Sequence, residues 1–131
     1  MGYRYWYDLS LYKSNRNISD ILKILKDIHD EKDNHNLPLP QDEDELDTLR
    51  AYIGELLEAI DEYGASKDWD STDCDGLNLI EISKLFPDEV FELYYQGEDR
   101  DDEGKVYFKN GKSQECKGRI VFDELDKSKL N

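Results

Sequence analysis

Val90-Phe91-Glu92-Leu93-Tyr94-Tyr95-Gln96, then Gly104-Lys105-Val106-Tyr107-Phe108-Lys109, then Asn110-Gly111 decide the fold of this chain. In the first stretch Phe91, Leu93 and Tyr95 point to one side, and Glu92, Tyr94 and Gln96 to the other. Period two is the signature of a half-buried strand. Asn-Gly supplies two residues that tolerate positive φ, as a tight hairpin turn requires. Gly104 to Lys109 and Lys112 to Lys117 are therefore expected to pair across it. Gly97 to Glu103 reads as an acidic loop joining the first two strands, and Ile120-Val121-Phe122 as a last short strand.

Upstream, Tyr3 to Tyr12 alternates in the same way, with Tyr3, Tyr5, Tyr7, Leu9 and Leu11 on one face. Aromatic residues at this period favour a strand. Ile18, Ile21, Leu22, Leu25 and Ile28 recur at helical spacing, so a helix is expected from Ile18 to about Lys32, capped by Asn17 or Ser19. Pro38 and Pro40 then enforce a loop. A second helix is expected from Glu43 to Tyr63, stopped by Gly64. Its residues Leu46, Leu49, Ile53, Leu56, Leu57 and Ile60 share an arc of roughly 100°. Asp47, Glu55, Glu58, Asp61 and Glu62 occupy a separate arc. Lys67 to Asp70 reads as a short extended piece, and Leu77, Ile80, Ile82 and Leu85 as a short third helix ended by Phe86-Pro87-Asp88. At 131 residues the chain is expected to be one domain. An antiparallel β-sheet with helices packed on one face, an α+β fold, satisfies this order of elements. The expected core is Tyr5, Tyr7, Leu9, Ile21, Leu25, Leu49, Ile53, Leu56, Ile60, Phe91 and Leu93.

Phe86-Pro87, Phe91 to Tyr95, Gly104 to Phe108 and Asn110-Gly111, with Trp69 ahead of the third helix, resemble the YubB-type ferredoxin-like domain of small plasmid and phage proteins. The resemblance covers roughly Trp69 to Gly111, about a third of the chain. It implies a ferredoxin-like α+β sandwich and an origin in a mobile element. It brings no established activity and no catalytic residues.

Charge is the other dominant feature. The net charge is −15, and charged residues make up 37% of the chain, as do hydrophobic ones. From Gln41 to Gly104 there are 22 acidic residues and only four basic ones, Arg50, Lys67, Lys84 and Arg100. The remainder is close to neutral. Such a surface repels a phosphate backbone, so direct nucleic-acid binding is not expected. Tyr3, Tyr5, Trp6 and Tyr7 as a base-stacking platform lack the basic residues that such a site needs. No apolar run approaches the ~20 residues of a membrane span. Met1 to Trp6 does not read as a secretory signal, and the expected location is the cytoplasm of a bacterial host.

Catalytic and metal chemistry find little support. There is no nucleophile elbow, phosphate loop or zinc-protease motif, and an enzyme is not expected. Asp68, Asp70, Asp73 and Asp75 with Gly76 resemble a calcium loop. With Gly76 at its glycine position, however, the first ligand would be Ser71 and the last Ile82. Cys74, Cys116, His29 and His35 lie in unrelated segments without zinc-ligand spacing. No cofactor or metal is expected.

Rows of carboxylates remain. They are Asp42, Glu43, Asp44 and Glu45; Glu55, Glu58 and Glu62 on the second helix; and Glu98, Asp99, Asp101, Asp102 and Glu103 in the acidic loop. Duplex DNA presents one negative charge per ~1.7 Å of axis, and carboxylates in rows can compete for a groove built to hold it. The expected function is a non-enzymatic inhibitor that mimics nucleic acid and blocks a basic nucleic-acid-binding defence protein of the host, of anti-CRISPR or anti-restriction type. The alternative is a protein–protein interaction module with an aromatic hot spot at Trp6 or Tyr94, with the calcium loop third.

Overall fold

Residues 3–67 and 77–117 are described by a computed structural model. The chain runs β1 (Tyr5–Leu11), α1 (Ile18–His29), α2 (Glu43–Ala59), α3 (Leu79–Ser83), β2 (Phe91–Gly97), β3 (Glu103–Lys109) and β4 (Lys112–Lys117). The strands form a four-stranded sheet in the order β1-β2-β3-β4, each neighbouring pair antiparallel. The helices enter once, between β1 and β2, and the last three strands form a meander. This α+β layering is compatible with a ferredoxin-like arrangement. Asn110 and Gly111 turn the final hairpin with φ of 46° and 83°, both in the region that such a turn demands. Ile120 to Phe122 lie outside the described residues, as do Asp68 to Gly76.

The register explains the core. Tyr7 faces Tyr95, Leu9 faces Leu93 and Leu11 faces Phe91. Phe91 in turn faces Phe108, and Leu93 faces Val106. Because side chains directly opposite share a face, these residues build one apolar surface. It packs with Ile21, Leu25, Leu49, Ile53, Leu56 and Ile60 from the helical layer. Tyr5, expected in the core, is only partly buried at its margin. Leu77, Leu79, Ile82, Leu85 and Phe86 are buried with the core as well, whereas Ile80 is 38% exposed. The opposite face carries a different chemistry. Trp6 meets Tyr94 edge-on at 5.9 Å, and Tyr12 meets Tyr107 at 5.4 Å.

Both long helices end earlier than their patterns suggest. α1 closes at His29, and the chain turns through Glu31 at φ 58°. Asn17 is its N-cap residue, with the Asn17 N–H 3.4 Å from the Asp20 carboxylate. α2 closes at Ala59 because Ile60 is extended (φ −128°, ψ 157°) and forms a bridge with Ser66. A second bridge links Asp8 to Ala65. The Leu9 N–H donates to the Gly64 carbonyl at 2.8 Å, and the Ser66 N–H donates to the Tyr7 carbonyl at 2.9 Å. Residues 64–66 therefore cover part of the outer edge of β1, which a bare sheet would leave open. Gly64 turns this segment rather than capping the helix. Its φ is +91°, and a Cβ there would run into the Leu9 carbonyl.

Two substitutions test this packing. Leu56 is fully buried, and Leu56→Ala is expected to cost about 2–5 kcal/mol in chemical denaturation while preserving helix propensity. An unchanged unfolding midpoint would take Leu56 out of the core. Gly64→Ala combines backbone strain with a clash and is expected to lose at least about 1–3 kcal/mol; a neutral result would mean that residues 64–66 do not hold β1.

Candidate functional site

The carboxylates of the first row sit at the start of α2. Asp42 is the N-cap, and its side chain accepts from the Glu45 N–H at 3.1 Å. Glu43, Asp44 and Glu45 occupy the first turn, where the positive end of the helix dipole stabilises negative charge. The row is thus partly explained by helix formation. All four side chains are exposed. Further along α2, Glu55 and Glu58 are also exposed, and Glu55 accepts from the Asn78 amide at 2.9 Å. Glu62 is exposed too, but it lies in the turn after the helix rather than on its polar face. The helix stops short of it because Ile60 is recruited to pair with Ser66.

The third row forms the β2–β3 turn. The Gly97 N–H donates to the Asp102 carbonyl at 2.6 Å, the Asp102 N–H to the Asp99 carbonyl at 3.0 Å, and the Asp99 N–H to the Tyr3 hydroxyl at 2.8 Å. Glu98, Asp99 and Asp101 present their carboxylates to solvent. Asp102 and Glu103 are half-buried, and Glu103 is already used. The Tyr94 hydroxyl donates to it at 2.7 Å. Burial, followed by this carboxylate, pushes the Tyr94 phenol up to about 12. Tyr107 is likewise raised, by burial first and then by Glu92 opposite it. On this face carboxylates partly serve the sheet itself.

The first and third rows do not merge. The β2–β3 turn lies where Gly97 pairs with Tyr5. Lys84, which shares a groove with Asp44 and Glu45, lies against Gly111 in the other hairpin. Those two hairpins are at opposite ends of seven-residue strands, roughly 20 Å apart. α2 leads from the Gly111 end back toward the middle of β1, where residues 64–66 pair. The carboxylates therefore frame the domain at both ends, with α2 between them.

How the fold allots its cations is informative. Arg50 donates to the Ile28 carbonyl at 3.2 Å and lies 3.4 Å from Glu31 and 3.8 Å from Asp47. Arg16 meets Glu89, Lys84 meets Glu81, and Lys105 meets Glu92. Among the described residues, these ion pairs involve none of the carboxylates in the three rows. Even Arg100, inside the third row, makes no ion pair with its neighbours there. Asp8 is held above the usual carboxylate range by local desolvation first, and then by Asp61 and Glu92 nearby.

The metal candidates divide. Asp68, Asp70, Asp73, Asp75, Gly76 and Cys74 lie outside the described residues. His29 pairs with Asp30 at 3.0 Å and His35 with Asp27 at 2.8 Å, while Cys116 is buried. Among the described residues no group of three or more His, Cys, Asp or Glu side chains is placed to hold a metal ion, and no helix is long and apolar enough to cross a membrane. Sequence reasoning overlooked the tyrosine–carboxylate pairs. Alternation marked Tyr94 as outward-facing, but the Glu103 partner depends on the register between β2 and β3.

Tyr94 supplies a pH test. Its folded pKa lies above the ordinary value of 10, so the neutral phenol is favoured by the fold. The associated stability is complete below about pH 10 and is lost as pH rises through about 12. Ultraviolet titration of tyrosinate is expected to show a late-ionising group that Tyr94→Phe removes and Glu103→Gln shifts down. Unchanged titration curves in both variants would disprove the pairing.

No protein-family model, curated protein or solved structure matches this chain.

Proposed function

We propose that this protein is a non-enzymatic inhibitor from a phage or other mobile element. It occupies the basic nucleic-acid groove of a bacterial defence protein, of CRISPR-effector or restriction type, in the cytoplasm of the host. The observation that carries the reading is the distribution of cations. Among the described residues, the lysine and arginine ion pairs use Glu31, Asp47, Glu81, Glu89 and Glu92, and none of them falls on the three carboxylate rows. Evolution of a merely soluble surface does not require charges of one sign to be grouped this way, and mixed signs serve solubility as well. A basic groove offers the missing counter-charge. The resemblance read from the sequence of residues 69–111, to a domain of plasmid and phage proteins, motivates the mobile-element origin proposed here.

A second reading has one observation in its favour. Trp6 and Tyr94 are half-buried, edge-on to each other, on the face away from the helices. Such a pair suits an aromatic hot spot on an ordinary protein–protein interface.

The two readings separate by mutation. Against purified CRISPR effectors and restriction complexes, the protein is expected to inhibit DNA binding stoichiometrically, without turnover. Reversing Glu98, Asp99 and Asp101 to lysine together, or Glu43, Asp44 and Glu45 together, is expected to weaken inhibition about tenfold, since exposed pairs contribute only about 0.2–1 kcal/mol each. Inhibition that survives both reversals but is lost in Trp6→Ala would favour the aromatic interface and reject mimicry.

A further inference from the structure

A groove of about 540 Å³ opens between the Pro38–Pro40 stretch, α2 and α3. Leu49, Tyr52 and Leu85 line it together with the two prolines. Asp44, Glu45 and Glu81 also line it. On α2, Asp44, Thr48 and Tyr52 follow one another at intervals of four residues, with Glu45 and Leu49 in the adjacent row. Residues so spaced stand side by side on a helix. An apolar floor therefore meets two carboxylates, Asp44 and Glu45, that no cation among the described residues pairs with. Across the groove, the chain already binds one cation of its own. The Lys84 ammonium lies 3.1 Å from Glu81, and the Lys84 stem rests against Gly111.

We propose that this groove docks an arginine side chain of the partner, with the guanidinium on Asp44 and Glu45 and the stem over Tyr52 and the prolines. Arginine fits better than lysine on two grounds. Its planar fork can bond to carboxylates through several N–H groups, and its face stacks on an aromatic ring. A cation over a tyrosine ring adds a further attraction there. The groove would then be the anchored point of an otherwise diffuse electrostatic surface. The inference rests on the inhibitor reading only for the origin of the arginine.

The test uses the full chain and small probes. The peptide Ac-Gly-Arg-Leu-Gly amide is titrated into the protein and followed by amide NMR, with its Lys and Glu counterparts as controls. Saturable shifts are expected at Thr48, Leu49, Tyr52 and Leu85, with the Arg peptide tightest and the Glu peptide silent. Tyr52 is outside the core cluster and its apolar fringe, so Tyr52→Ala is expected to fold and to weaken the Arg peptide about threefold. Glu45→Gln provides a second variant with the wild-type apolar floor. Shifts scattered over every acidic segment, equal affinity for the Lys peptide, or affinity unchanged in both variants would overturn the proposal. Failure here leaves inhibition of the defence protein intact. Failure of the inhibitor reading leaves these peptide shifts intact.

Discussion

Four peptide groups tie the segment after α2 to the outer edge of the sheet. The Leu9 N–H bonds to the Gly64 carbonyl, and the Ser66 N–H bonds to the Tyr7 carbonyl. Tyr7 and Leu9 are simultaneously central to β1 and buried in the core. The turn after α2 is thereby tied to the sheet at its first strand. That tie fixes where α2 ends, and with it the direction in which the helix carries Glu55 and Glu58. It also covers part of the β1 edge, so that a strand separated by about eighty residues from its partner β2 is secured on both sides.

A chain of net charge −15 repels itself, and the structure shows how that repulsion is contained. Some carboxylates are absorbed by structure. Asp42 caps α2, Glu103 and Glu115 accept tyrosine hydroxyls at 2.7 Å, and Glu92 sits between Lys105 and Tyr107. The helix dipole favours Glu43, Asp44 and Glu45. What remains is carried at the surface, at the two ends of the sheet and along α2, where solvent screens it within about 8–10 Å at physiological ionic strength. A surface of this kind holds little binding energy in any single pair. On the proposed function it attracts a basic partner as a whole and takes its register from one anchoring contact, the groove beside Tyr52.

Much of this was legible in the sequence, for reasons local to each segment. Asn110-Gly111 dictates its turn by conformation alone, and the alternation in Tyr5–Leu11 and Phe91–Gly97 sorts buried from outward residues. The helical spacing of Ile21, Leu25, Ile53 and Leu56 identifies their buried faces. What was not legible depends on contacts between distant residues. The apolar arc of α2 includes Ile60, yet Ile60 leaves the helix because Ser66 pairs with it. Tyr5 has the pattern of a core residue but lies at the core's margin, in edge contact with Tyr3 and Tyr95. The acidic rows, set apart in sequence, are also kept apart in space, because the β2–β3 register puts its turn at the end of the sheet opposite the start of α2. The role of Glu103 as a tyrosine partner followed from that same register.

The central claim is that this surface substitutes for nucleic acid. Its most direct test is competition between the protein and duplex DNA for one defence protein, measured across a series of salt concentrations. The account predicts mutually exclusive binding, with affinity falling steeply as salt rises, as expected when paired charges release counterions. A stable ternary complex with DNA, or affinity indifferent to salt, would contradict it.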